Sequence, residues 1–346
     1  MSANSPGRRA PRDVKRGAPL RVGAIDIGSN SVRLLVADVL RDAEGRDQLR
    51  VVVRAGEACR LARGLAKHGV IDAEMTEQAA RVVAEFAQRS RGLGAVHVVA
   101  GATAALRGAA NRAEVLEAIE AKSGVRVRIL SGEDEARMVY RSVVHGLGLA
   151  TRGQAGVVFD VGGGSTEVVS GVGLESGRWA SLPFGAVSLT DRFLSSDPPA
   201  AAEIAALREA VRAEIGAQCS GMPERVPLLA GVGGTVTVLA SLDRSLATYD
   251  PAMLEGWNIP AERLAPLIER LVTTPRAQRG AWPIMGEGRA DIVAAGALIV
   301  DEVFRRFPTE ALVCSTQGLR YGLARLAAEE AVAAGAAPAK PAPKAR

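Results

Sequence analysis

The chain has 346 residues, 48% of them hydrophobic and 23% charged, proportions of a globular protein of about two domains that exclude wholesale disorder. Its formal charge of +5 sits at the ends: residues 1–21 hold six basic residues and one acid, and 340–346 hold three basic ones. The stretch 22–339 is left with 34 basic against 37 acidic residues, which excludes a domain-wide footprint for duplex nucleic acid.

Three cysteines, at 59, 219 and 314, are odd in number and scattered, so no disulfide framework is expected and a reducing compartment fits. The apolar run 292–300 is nine residues, too short for a bilayer that needs about 20. No apolar signal segment follows the basic N-terminus. The expectation is a cytoplasmic protein without a membrane partner.

In chain order, residues 1–20 are rich in Pro, Gly, Arg and Ser and read as a disordered basic arm. Residues 21–26 (RVGAID) read as a strand broken by Ile27-Gly28-Ser29-Asn30, and 31–39 (SVRLLVADV) as its hairpin partner. Residues 72–91 place Met75, Ala79, Val82, Val83 and Phe86 on one helical face. A buried strand at 96–100 follows. Asn111 with Glu114 reads as a capping box opening a helix that Gly124 ends. A strand at 125–130 leads to Ser131-Gly132, which opens a helix to about Gly146. Residues 156–160 (GVVFD) form a strand running into Val161-Gly162-Gly163-Gly164-Ser165-Thr166, with the strand-like Glu167-Val168-Val169 beyond. Leu228-Leu229-Ala230 precedes a third glycine turn, Gly231-Val232-Gly233-Gly234-Thr235, and a helical stretch at 236–242. Residues 331–346 read as a disordered Ala/Pro/Lys tail.

Two of these units match. Asp26-Ile27-Gly28 with Ser31, and Asp160-Val161-Gly162 with Ser165, recur at identical spacing 134 residues apart, each on a strand–turn–strand. Two equivalent hairpins imply two equivalent α/β lobes, over 21–145 and 146–330, with their turns facing across a cleft and the last helix packing back on the first lobe. Turns of small residues expose backbone N–H groups to an anion. Gly28, Ser29, Asn30 and Ser31 form one such cradle, and Gly162, Gly163, Gly164, Ser165 and Thr166 form the second. Gly233, Gly234 and Thr235 form a third at a helix N-terminus. Asp26 and Asp160, at strand ends beside these turns, suit a hard cation such as Mg²⁺. The helix start Ser131-Gly132-Glu133-Asp134-Glu135 crowds three acids. Helix-dipole compensation accounts for Glu133 and Asp134. Glu135 lies deeper and is placed to activate a water attacking phosphorus.

The segments DIGSNSVRLLV (26–36), ATAALR (102–107), SGEDEAR (131–137), VFDVGGGSTEVV (158–169), GVGGT (231–235) and RAD (289–291) resemble the exopolyphosphatase/guanosine pentaphosphate phosphohydrolase family. That family lies within the acetate-and-sugar-kinase, heat-shock-chaperone and actin superfamily. The resemblance implies an α/β fold of two ribonuclease-H-like lobes with an interdomain cleft. It implies Mg²⁺-dependent removal of terminal phosphate from polyphosphate or guanosine pentaphosphate. By motif, Glu135 is the catalytic base, Asp160 and Glu167 serve metal or water, and Arg33 and Arg107 neutralise phosphate oxygens. Asp26, Asp160 and Glu135 make the expected metal set, and a homodimer is a candidate assembly. Longer members carry a further helical region beyond about 330, so a short-chain preference is expected here. Many members read Asp-Gly-x-x-Arg-Glu-Gly where this chain has Thr316-Gln317-Gly318-Leu319-Arg320-Tyr321-Gly322.

Rival readings are a kinase of the same superfamily, a non-enzymatic nucleotide or alarmone sensor, and a thiolate phosphatase built on the C-x5-R pattern of Cys314 and Arg320. The thiolate loop lacks its usual flanking residues, and Cys314 reads as a small buried hydrophobe. Arg54, Arg60, Arg63, Lys67, Arg276, Arg279 and Arg289 are candidates to flank a polyanion route, but most of them read as solvated surface charge.

Overall fold

The computed structural model describes residues 19–41, 47–149, 153–286 and 288–336. The first sheet is built from β1 (Leu20–Ile27), β2 (Ser31–Arg41) and β3 (Asp47–Ala58), an antiparallel meander. It continues through α1 (Leu65–His68), α2 (Ala73–Gly92), β4 (His97–Ala102), α3 (Ala104–Gly108), α4 (Arg112–Ser123) and β5 (Val127–Ile129), with β4 and β5 parallel to β1. Strand order is β3-β2-β1-β4-β5. β1 is buried on both faces, Ile25 and Ile27 against α2 and Val22 and Ala24 on the opposite side. This is the near-continuous apolar run expected of a strand covered from both sides.

After α5 (Gly132–Gly146) the pattern repeats. β6 (Ala155–Val161), β7 (Thr166–Val172) and β8 (Glu175–Leu182) form a second meander, followed by α6 (Ala186–Phe193), α7 (Ala201–Gln218), β9 (Leu229–Val232) and α8 (Gly234–Asp243). α9 (Pro251–Leu254), β10 (Trp257–Pro260), α10 (Ala261–Thr273), α11 (Arg276–Gly280), α12 (Val293–Arg306), β11 (Ala311–Cys314) and α13 (Leu319–Ala333) complete the described chain. The second sheet runs β10-β11-β9-β6-β7-β8.

α5 and α13 lie between the sheets. α13 packs on β1, β2 and β4, and α5 on β6, β7 and β8 and on α13. Tyr140, Val143, Tyr321 and Leu323 from these helices join Val22, Ala24, Val158 and Val169 from the two sheets in one buried cluster. The chain therefore crosses over twice. α13, far along the chain, packs back on the first sheet as expected, while α5, which ends the first stretch, lies on the second sheet.

Local expectations hold in most places. Asp72 caps α2 through the Glu74 N–H at 2.8 Å, and Gly124 ends α4 in the left-handed conformation. The Asn111 capping box does not form. Its side chain instead exchanges two hydrogen bonds of 2.9 Å with the Ile71 backbone, tying the α1–α2 loop to α4. α13 runs to Ala333 with Ala331 buried, so the tail expected from 331 begins later. Residues 1–18 of the expected arm and 337–346 of the tail lie outside the described residues. Among the described residues no helix is long and apolar enough to cross a membrane.

Candidate active site

The two matching hairpins fold alike down to their hydrogen bonds. The Gly28 N–H donates to the Ser31 carbonyl at 3.1 Å, and the Gly162 N–H to the Ser165 carbonyl at 3.0 Å. Across the strands Asp26 pairs in register with Arg33, and Asp160 with Glu167. The turns meet face to face: a Cβ added to Gly163 would lie 2.9 Å from the Ser29 Cβ, and one on Gly164 would lie 2.6 Å from the Ser29 Oγ. Only glycine permits that approach. The third turn closes the same spot. Gly233 has φ of +100°, and a Cβ there would meet the Val161 carbonyl oxygen at 2.7 Å, while α8 opens at Gly234 with its N-terminus toward the cleft. All three cradles line one cavity of about 100 Å³, together with Asp26, Asp160, Arg33 and Glu135.

The structure sorts the three acids of α5. Asp134 accepts from the Ser131 hydroxyl at 2.7 Å, and Glu133 pairs with Arg137 one turn on at 2.7 Å. Glu135 is buried at 7% exposure in the cavity wall, with Oε2 3.1 Å from Arg107 Nη1. Burial, then the neighbouring Glu167, pushes its carboxyl well above the usual range, and Arg107 opposes that. Burial also raises Asp26, against Arg33 and Arg320, and lifts Asp160 to about 6, against Arg33 and with Asp26 adding to the rise. Glu167 is raised by burial and by Asp160, and accepts from the Ser181 hydroxyl at 2.9 Å. Four carboxyl groups thus share one buried neighbourhood.

Opposite them lies a larger cavity of about 500 Å³, continuous with the first through Asp26, Arg33, Asp160 and Arg289. Arg33, Arg54, Arg289 and Arg320 line it. Burial, then Arg33, depresses Arg289 to about 10 and lowers Arg320. Four guanidinium groups lining one pocket give it a strongly positive potential. Sequence reasoning left Arg54 and Arg289 mainly among surface charges; Arg54, although exposed, lines the cavity from β3, and Arg289 lines it from the loop before α12. Only the RAD motif signalled Arg289. Arg279, also read as surface, is buried and donates to the carbonyls of Leu271 and Thr274 at 2.7 and 2.8 Å.

Three expected residues sit elsewhere than on the cavity wall. Thr166 is fully buried, its hydroxyl donating to the Phe184 carbonyl at 2.9 Å, so it braces the turn rather than facing the cleft. Arg107 is held by Glu135 and by the Leu130 carbonyl at 2.8 Å. Glu167 is buried beside Asp160 across the β6–β7 pair and is not among the residues lining the cavity. The thiolate reading fails: Cys314 is fully buried at the end of β11, and burial, with Glu255 nearby, raises its thiol.

Among the described residues no three His, Cys, Asp or Glu side chains converge as a metal cage. Asp26, Asp160 and Glu135 are therefore not a preformed ligand set. Mg²⁺, however, typically takes one or two carboxylates and completes its shell with water and phosphate oxygens. Asp26 and Asp160, buried and mutually exposed to the same cavity, have the chemistry for an ion of that kind.

A family model described as the Ppx/GppA phosphatase family matches residues 38–328. Among similar proteins, Exopolyphosphatase 2 of Mycobacterium tuberculosis is 35% identical over 293 residues, covering 82% of this chain and 90% of that one. Exopolyphosphatase 1 of the same species is 31% identical over 317 residues, covering 88% and 87%. Among solved structures, the Aquifex aeolicus PPX-GPPA enzyme superposes with a TM-score of 0.72 at 30% identity, covering 88% of this chain and 98% of its own. The two lobes are those of the actin-like ATPase fold, and the chain belongs to the Ppx/GppA phosphatase family.

Proposed function

We propose that this protein is a phosphohydrolase that removes the terminal phosphate of inorganic polyphosphate by in-line attack of water. The observation that carries the reading is the meeting of two amide-lined turns over a buried Glu135, beside a pocket of four arginines. Arg33, Arg289 and Arg320 draw the polyanion in, and the N–H groups of the turns hold the terminal phosphoryl group. Arg107 fixes one oxygen of Glu135, leaving the other to accept the proton of the attacking water. Burial and the neighbouring Glu167 raise its carboxyl and so make it a stronger base than an ordinary surface carboxylate. As the P–O–P bond breaks, the bridging oxygen leaves with the shortened chain, and the proton passes from Glu135 to the products. Mg²⁺, held by Asp26 and Asp160 when bound, would neutralise charge on the phosphoryl oxygens. Arg107 thus acts on Glu135 rather than on phosphate.

Guanosine pentaphosphate is a second candidate on one observation: Tyr249 and Pro251 give the arginine pocket a flat apolar wall suited to a base. Phosphate release from tripolyphosphate and from guanosine pentaphosphate, measured side by side with and without Mg²⁺, tests the proposal. Mg²⁺-dependent release from tripolyphosphate is expected. Binding of either compound without release in Mg²⁺ would leave a sensor, and reject hydrolysis.

A further inference from the structure

Glu255 belongs to none of the motifs above, yet its carboxylate holds a loop of the arginine pocket. It lies between α9 and β10 and accepts three hydrogen bonds from the segment joining β11 to α13: the Ser315 hydroxyl at 2.8 Å, and the Thr316 N–H and hydroxyl at 2.6 Å each. Ser315 and Thr316 are buried, and Ser315 Oγ in turn accepts from the Gln317 N–H at 3.2 Å. A Cβ on Gly146, at the end of α5, would touch both Gln317 and Glu255, so the cluster is packed against the helix that carries Glu135. Two residues past this segment Gly318 caps α13, and Arg320 follows in its first turn with its side chain in the pocket.

Arg320 needs an anchor. It shares the pocket with Arg33, Arg54 and Arg289, and like charges in a dry cavity push each other toward solvent. The segment 315–318 is neither strand nor helix and cannot resist that push by its own ladder. On the far side Tyr321 is fixed by Arg54, whose Nε donates to the Tyr321 hydroxyl at 3.0 Å. We infer that Glu255 is a positioning residue for polyanion binding: by fixing Ser315 and Thr316 it holds the first turn of α13, and with it Arg320, in the pocket. The inference rests on the polyphosphate reading of that pocket.

The test is binding of tripolyphosphate to the full chain by calorimetry, in a Glu135→Gln background that prevents turnover. Glu255→Ala and Arg320→Ala should each weaken binding by about tenfold, as for loss of one charged hydrogen-bond partner. The pair should couple, the double variant being within about twofold of Arg320→Ala alone. Glu255→Gln, whose amide oxygen still accepts the Thr316 N–H, should stay within about threefold of the parent. If Glu255→Ala does not fold, Thr316→Val replaces it: weaker binding with Arg320 present and no change without it supports the role. Unchanged affinity, or effects that add in the double variant, would overturn it. A parent that binds no tripolyphosphate rejects the polyphosphate reading and this inference together. A parent that binds, with Glu255→Ala unaffected, rejects the positioning role alone.

Discussion

Replacing Asp160 by Asn should stabilise the protein at pH 8 while crippling turnover. Asp160 sits at the end of β6 beside the second turn, with burial raising its carboxyl from 3.8 to about 6. A carboxyl raised on folding binds its proton more tightly in the folded than in the unfolded chain. Folded stability is therefore highest, as far as this group is concerned, below about 4, and it falls as pH rises through about 6, then levels. At 1.36 kcal/mol per unit the full penalty is about 3 kcal/mol, and water entering the cleft reduces it to about 1–3 kcal/mol. Asn carries no such penalty. Thermal melts of wild type and Asp160→Asn in EDTA should coincide near pH 4 and separate above pH 6 by about 1–4 °C in favour of the variant. Parallel melting curves at all pH values, or a variant that falls further behind as pH rises, would refute the argument that the buried charge is uncompensated.

Other perturbations probe the remaining parts of the site. Glu135→Gln should lower kcat by about 10²–10⁴ while binding of tripolyphosphate persists, as for a lost general base; wild-type turnover in a phosphate-release assay would remove Glu135 from the mechanism. Arg289, still protonated at pH 8 with a pKa of about 10, should raise KM when replaced by Ala and flatten the salt dependence of KM; an unchanged salt dependence would place the polyanion elsewhere. Cys314→Ser should keep activity within about threefold, since the buried thiol takes no part; complete loss in a folded variant would reopen the thiolate reading. EDTA should stop phosphate release and added Mg²⁺ restore it, and full activity in chelator would assign charge neutralisation to the arginines alone.

The architecture was legible where a short motif carried both structure and chemistry. The DIGSNS and DVGGGSTE turns announce themselves by glycine and serine after an apolar strand, and the matched Gly28–Ser31 and Gly162–Ser165 hydrogen bonds follow from that spacing. What stayed hidden depends on contacts between distant segments. Glu255 meets Thr316 across 61 positions, and Arg54 meets Tyr321 across 267; no period or spacing encodes such pairs. Arg289 and Arg279 have the same side chain and lie ten positions apart, yet one lines the cavity and the other props up backbone carbonyls. Asn111 illustrates the opposite error. Its spacing to Glu114 fits a capping box, but the Ile71 backbone offers it both a donor and an acceptor, and the tertiary partner wins.

The duplicated hairpins are alike in backbone but not in charge. Two copies of one hairpin bring two equivalent cradles, and an arrangement of equal halves would hold phosphate without distinguishing its ends. The halves differ at one cross-strand position: opposite Asp26 stands Arg33, and opposite Asp160 stands Glu167. The first hairpin thus presents a cation toward the arginine pocket, and the second adds a carboxyl to those around Glu135. Asp26 and Asp160 line the same cavities as the arginines, so the cross-strand difference decides which hairpin adds a cation and which adds a carboxyl. In the proposed reaction the cation of the first hairpin serves the anionic chain, and the carboxyl of the second helps to raise Glu135. The crossover of α5 and α13 makes the arrangement durable, because the helix carrying Glu135 rests on the second sheet while the helix carrying Arg320 rests on the first.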